Sequence, residues 1–464
     1  MNAHRTFFSS LLFILVTLSV LGGVAGTGQT MTSEEEKKLG KKVLEDIAKH
    51  EELVRDLSLQ DFVDRVGKSL LNYIGPTPFE YDFYVIRSHE PNAFAIPGGH
   101  IFITTGLLGL AENESEVAGV LSHEISHVKG RHIDQLIERS KRFNIAALAA
   151  MIAGAIAGRG GATSQAAATA AMAGAQAMML KYTRENEVDA DQNGLYLMVK
   201  TGYNPNALVS FLKKMERHSL GASKIPQYLM THPALDSRIA LLETLLTLEP
   251  KPLPPFKEAG SYKRIQMRGV IEEREPGDAV GHFESLVKTH PEDTDALFGL
   301  GLAYERAGRL DKTIDILQKA SRVDPKDVEL ARELGIACFL AGRVDRAVEI
   351  LEPLSQSDDL KSLYFLGRAY QEKGLVDRAK ELFLKVKSRS GEYVDLYYNL
   401  GSVYGRTGQK GLSHYYFGRY FELKGDRKNA FLHYSTALND LEKGSAERVE
   451  AERILRELNP TPKK

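Results

Sequence analysis

Apolar and polar positions along this chain follow two rhythms. Over NESEVAGVLSHEISHVKGRH (Asn113 to His132) the apolar residues recur at helical spacing, with Asn113 or Ser115 placed to start the helix. Just before it, HIFITTG (His100 to Gly106) alternates, with β-branched and aromatic side chains, between Pro97-Gly98-Gly99 and Gly106, which predicts a strand. That is one clear strand in an otherwise helical stretch from about Met31 to Leu248. The four prolines of EPKPLPPFKE (Glu249 to Glu258) then predict a stiff, extended linker.

Beyond the linker the pattern repeats. LGLAYERAGRLDKTI, LGIACFLAGRVDRAV, LGRAYQEKGLVDRAK and LGSVYGRTGQKGLSH place Gly301, Gly335, Gly367 and Gly401 at steps of 34, 32 and 34 residues. A second set, Gly308, Gly342, Gly374 and Gly408, keeps the same steps. A 34-residue period with Leu-Gly-x-x-Tyr in a first helix and a small residue opening a second resembles the tetratricopeptide repeat. Ala279 and Phe283 fit the second helix of an earlier repeat, and helices around Ala430 and Glu447 are expected to cap the array. Each helix pair buries its apolar face only against the next, so the expected form is a curved α-solenoid whose concave face suits segments of other proteins.

The N-terminus adds an address. MNAHR is short and positive, and the uncharged run Phe7 to Ala25 ends in the small residues Val24-Ala25-Gly26. This predicts a signal peptide over 1–26, cleaved near Gly26, with an uncleaved N-terminal membrane anchor as the alternative. The division expected is therefore 1–26 signal, 27–248 catalytic domain, 249–260 linker and 261–464 repeats. Lys and Arg total 60 against 61 Asp and Glu, a formal net charge of -1 that leaves no basic footprint for nucleic acid. The single cysteine, Cys338, excludes an intrachain disulfide and sits in a helix-core pattern as an inert thiol.

The chemistry lies in HEISHVKGRH. Positions four apart on a helix differ by ~40°, so His123 and His127 share a face and can share a metal. Glu124, one step round, reaches a water on that metal but is poorly placed to ligate. Zinc takes imidazole nitrogens and lowers the pKa of bound water towards ~7, and a glutamate can then move the water's proton to the leaving amine. His132 is one place early for a third histidine of the HExxHxxGxxH kind, and on a continuing helix it would point ~180° from His123. A third ligand is therefore expected elsewhere. YTRENEVDADQNG offers Glu187, 60 residues beyond His127, with Asp191 four residues later on the same helical face. A His₂Glu site with one open position is the gluzincin pattern, and Asp191 is placed to hydrogen-bond a ligating imidazole. Spacing alone does not select Glu187 over Glu185 or Asp189.

HExxH followed by EVDAD (Glu187 to Asp191) resembles the zinc metallopeptidases of the HtpX and CAAX prenyl endopeptidase family. NAFAIPGGHIFITTGLL and THPALDSRI match it too. The resemblance implies one Zn²⁺ per chain at His123, His127 and Glu187, with Glu124 as general base. It also implies that the strand His100 to Gly106 lies at a sheet edge, where a substrate backbone would pair with it, with a plain core strand as the alternative. Within THPALDSRI, His232 and Arg238 are candidates to stabilise the developing oxyanion; the alternative for His232 is the fourth metal position, where it would hold the enzyme off.

The Ala/Gly-rich stretch 143–180 lies where integral-membrane relatives cross the bilayer. Here it is too short and interrupted for two spans, and a helical hairpin over the active site, in peripheral contact with a membrane or simply buried, is expected. With the export signal and the repeats, the chain looks like a periplasmic branch of that family. Unfolded or misassembled envelope proteins are then the expected substrates, with the outer-membrane β-barrel assembly machinery as partner. The rival expectation is a chaperone or scaffold whose repeats carry the function while the metal site is latent or structural. The fold expected is mainly α with a small β-sheet, a metallopeptidase domain followed by an α-solenoid.

Overall fold

The computed structural model describes residues 31–50, 52–54, 56–139, 183–221, 226–248, 262–356, 359–389 and 393–458. The expected signal peptide, the proline-rich linker and the 143–180 hairpin lie outside the described residues. Among those described, no helix is long and apolar enough to cross a membrane.

The first part of the chain is helical with a small sheet. In chain order its elements are α1 (Ser33–His50), α2 (Leu57–Leu71), β1 (Asp82–Ile86), β2 (Ala93–Ile96), β3 (His100–Thr104), α3 (Thr105–Leu110), α4 (Glu114–Lys129) and α5 (His132–Arg139). After the undescribed stretch come α6 (Arg184–Thr201), α7 (Asn206–Gly221), α8 (Gln227–Thr231) and α9 (Leu235–Leu248).

The sheet corrects one expectation. Its order is β1-β3-β2, with β1 parallel and β2 antiparallel to β3. His100–Thr104 is thus the central strand, and Ala93–Ile96 is the edge strand that packs against α4. The physical reason lies in both faces of β3. Ile101 and Ile103 enter the core formed with α2 and α4, while Phe102 stacks on Phe94 of β2, 5.0 Å between ring centres, over Leu39 and Val43 of α1. A strand apolar on both faces belongs in the middle of a covered sheet. The turn from β2 into β3 depends on Gly99: its φ is +102°, and a Cβ there would come within 1.9 Å of the Glu80 carbonyl oxygen.

Helix α4 is buried along nearly all its length. Asn113 caps it, its side chain accepting a hydrogen bond from the Glu116 amide at 2.9 Å. Helix α6 begins with a capping box between Thr183 and Asn186 and lies directly along α4.

The second part is a helical array: α10 (Tyr262–Glu273), α11 (Pro276–Thr289), α12 (Thr294–Arg306), α13 (Leu310–Val323), α14 (Val328–Leu340), α15 (Val344–Leu351), α16 (Leu360–Glu372), α17 (Val376–Lys387), α18 (Val394–Arg406), α19 (Lys410–Leu423), α20 (Arg427–Ala437) and α21 (Ala446–Leu458). The repeat glycines act through close packing. A Cβ at Gly301 would meet Leu317 at 2.6 Å, at Gly335 Leu351 at 2.7 Å, and at Gly367 Phe383 at 2.7 Å. Each glycine of a first helix thus receives a large side chain of the second. Residues 276–289 and 427–458 form helices where a preceding half-repeat and a cap were expected.

The two parts are fastened together through α10. The Tyr262 hydroxyl donates to the Leu108 carbonyl at 2.7 Å, and Gln266 donates to the carbonyls of Gly109 and Ala111. Buried Arg268 joins Asp56, at the start of α2, to Glu333 of α14, at 2.8 and 2.7 Å, and Lys361 of α16 meets the other Glu333 oxygen at 2.8 Å. Leu57 packs into the core of the solenoid. The start of α2 therefore fills part of the repeat array.

Candidate metal centre

Helix α4 turns His123, Glu124 and His127 into one pocket, and all three are 0% exposed. Glu187 comes from α6, and His232 from the turn after α8. Ligand atoms of His123, His127, Glu187 and His232 all lie within 4.8 Å of one another. The Nε2 atoms of His123 and His127 approach to 3.0 Å. Glu187 lies 3.5 Å from each of these atoms through its two oxygens. His232 Nδ1 is 3.1 Å from Glu187 and 3.3 Å from His123 Nε2, while its Nε2 is 3.4 Å from Glu124.

Every residue proposed from sequence thus converges here, and Asp191 and Arg238 join from behind. His123 Nδ1 lies 2.9 Å from Asp191 Oδ1, so the ring donates that proton backwards and turns Nε2 to the pocket. Arg238 is 2% exposed. Its Nε and Nη2 each lie 2.8 Å from Asp191, and its Nη1 lies 2.8 Å from Glu187 Oε2. Arg238, expected as an oxyanion donor, also forks onto Asp191 through Nε and Nη2 and pairs with Glu187 through Nη1, and so clamps the two carboxylates together.

The electrostatics follow from burial and that clamp. Burial alone would raise both acids on α6, but the positive groups around them win. Arg238 holds Asp191 at about 2, and His232 and Arg238 hold Glu187 well below the usual carboxylate range. His123 is pushed up to about 9, because its hydrogen bonds to Asp191 and Glu187 outweigh burial and the Arg238 charge. Burial and the His123 charge push His127 well down. Glu124 is raised by burial, against the pull of His232. Both Glu124 oxygens are buried without a hydrogen bond, which is costly unless a reacting group completes the site.

Two features were missed in the sequence. Tyr228 of α8 packs on His232, 4.6 Å between ring centres, and holds it over the pocket; Ala234, at φ +65°, turns the chain from there into α9. His132 does not point away. Helix α4 ends at Lys129, and the chain folds back so that His132 Nδ1 lies 2.9 Å from His127 Nδ1. Helix α4 does not continue to His132, because after its C-cap at Gly130 the backbone of Arg131 takes φ +51°, and burial lowers the pKa of the returned imidazole.

One helix bringing two imidazoles and an acid to a carboxylate on a second helix defines a domain of the metallopeptidase class. Donors of this kind, two nitrogens and a carboxylate oxygen converging beside an unsatisfied glutamate, fit a zinc ion. Comparison with known proteins agrees. Residues 56–246 match the family model of Peptidase family M48, and tetratricopeptide repeat models match 271–320, 306–364 and 360–393. The chain carries a peptidase family M48 domain followed by tetratricopeptide repeats. It is 30% identical over 228 residues to the beta-barrel assembly-enhancing protease of Escherichia coli (strain K12), covering 48% of this chain and 46% of that protein. To the protein of the same name from Yersinia pestis it is 27% identical over 297 residues, 63% of this chain and 60% of the other. The chain thus spans about half the length of the curated relatives it matches. Among solved structures, MamA 41-end from Desulfovibrio magneticus RS-1 covers 36% of this chain and 97% of its own, with TM-score 0.31 at 17% identity.

Proposed function

We propose that this protein is a zinc-dependent endopeptidase of the bacterial periplasm that degrades misassembled envelope and outer-membrane proteins, with its repeats binding clients or the outer-membrane β-barrel assembly machinery. The observation that carries the catalytic part is the buried convergence of His123, His127 and Glu187 beside Glu124, whose oxygens accept no hydrogen bond. The envelope assignment is supported by the names of the relatives and by the N-terminal sequence.

One ion per chain would be held by His123, His127 and Glu187, where zinc supplies a Lewis acid for water and for the scissile carbonyl. Glu124, kept basic by burial and free of hydrogen bonds, takes a proton from the attacking water and delivers it to the leaving amide nitrogen. Asp191 and Arg238 keep His123 and Glu187 in place. The edge strand Ala93–Ile96, beside α4, replaces His100–Thr104 as the strand offered to an extended substrate backbone. His232, seated among the donors, would hold the ion as a further ligand in a closed resting state, and the α8 turn that carries it would then have to open to admit substrate.

The test is digestion of an unfolded outer-membrane β-barrel protein by the parent chain and by His232→Ala, with and without a chelator. Zinc-restorable cleavage of the unfolded form, with the folded barrel spared, is expected. Chelator-insensitive cleavage would contradict the metal mechanism. Protection from aggregation with no cleavage by either chain would transfer the function to the solenoid as a chaperone.

A further inference from the structure

His132 has no part in the chemistry above, yet its surroundings are built for it. We infer that His132 is a positioning residue for His127: it accepts the His127 Nδ1 proton, donates its own Nε2 proton to Asp189, and so fixes His127 with Nε2 facing the metal. The inference rests on the reading of His127 as a ligand.

The first support is the pairing. His127 Nδ1 and His132 Nδ1 are 2.9 Å apart, with the rings nearly perpendicular at 79° and both residues buried. His132 Nε2 lies 3.3 Å from Asp189 Oδ2 on α6. An imidazole presents one nitrogen to a metal when the other carries the proton, and that proton needs an acceptor. His123 gives its proton directly to Asp191. His127 gives its own to a neutral imidazole, which is an acceptor at Nδ1 because Nε2 donates to Asp189. The carboxylate acts at one remove, which adds no further buried charge beside Glu187, Asp191 and Glu124.

The second support is the backbone that returns His132. Arg131 sits at φ +51°, uncommon for a residue with a side chain, and is held there by ion pairs to Glu36 of α1 and Asp134 of α5 at 3.0 and 3.1 Å. Gly130 has an ordinary helical φ of −73°, so its backbone does not call for glycine. A Cβ there would lie 2.4 Å from His132 Nε2. The space at Gly130 is reserved for the imidazole ring.

The test compares zinc release into a chromophoric chelator for the parent, His132→Phe, His132→Asn and Asp189→Ala, with thermal unfolding of the zinc-free chains. Phe fills the ring volume without an acceptor, whereas Asn restores an acceptor near the Nδ1 position. Loss of such an outer partner costs about 10–100-fold in metal affinity, so His132→Phe is expected to release zinc about 10–100-fold faster. Its zinc-free Tm should stay near that of the parent, with release from His132→Asn largely restored and from Asp189→Ala intermediate. Release at the parent rate from His132→Phe, or equally fast release from Phe and Asn variants, would overturn the inference. Should the Phe variant not fold, unchanged release from Asp189→Ala, whose site is half exposed, would overturn the relay to Asp189. A parent chain that holds no zinc would instead refute the metal reading itself, so the two failures are distinguishable.

Discussion

Glu124→Gln is expected to lower peptide-bond hydrolysis by about 10²–10⁴-fold, the usual weight of a general acid–base group, while zinc content stays at the parent level. Both halves follow from the geometry. Glu124 lies outside the donor group of His123, His127, Glu187 and His232, so its loss leaves the ligands intact. Its two oxygens are buried without hydrogen bonds, so no hydrogen bond is lost with the charge, only the 3.4 Å contact with His232. Burial raises its proton affinity, as a group that takes and returns a proton near neutral pH requires. Initial rates on an unfolded protein at saturating zinc, set beside metal content, measure this; parent-like cleavage by the Gln variant would remove Glu124 from the reaction.

Arg238→Met carries the largest expected cost in stability. The guanidinium is buried between Asp191 and Glu187, each contact at 2.8 Å. Removing it strands two buried carboxylates, and breaking a buried pair in this way costs about 3–5 kcal/mol. For a domain near 200 residues each kcal/mol shifts Tm by roughly 2–4 °C, so a fall on the order of 10 °C is expected in zinc-free chains. Arg238→Lys should recover little, because a point charge cannot fork across Asp191 and also reach Glu187. A donor acting on the oxyanion would behave differently, with a loss of kcat and an unchanged Tm in scanning calorimetry. That outcome would support the oxyanion role expected of Arg238 from the sequence.

What was legible in the sequence was whatever a local period can encode. The (i, i+4) spacing of His123 and His127 needs only helix geometry, and the spacing of Gly301, Gly335, Gly367 and Gly401 needs only repetition. Glu187 is the residue that meets the two histidines, but its neighbours Glu185 and Asp189 carry the same charge, and only the resemblance selected it. The contacts that went unread depend on where the chain turns. His132 returns to His127 because the helix stops at Gly130 and Arg131 takes a positive φ. A strand's place in a sheet is set by its partners, and β1, Asp82–Ile86, went unrecognised; without it His100–Thr104 has a free edge. The hold of Arg268 on Asp56 and Glu333 joins residues 212 and 65 positions apart, a pairing that no period announces.

The central claim is a single zinc held by His123, His127 and Glu187, and anomalous scattering at the zinc edge from crystals of the protein tests it most directly. The account predicts one strong peak per chain, within about 2.0–2.2 Å of nitrogen atoms of His123 and His127 and of a Glu187 oxygen. No peak among these residues in zinc-supplemented crystals, or a peak bound elsewhere, would contradict it.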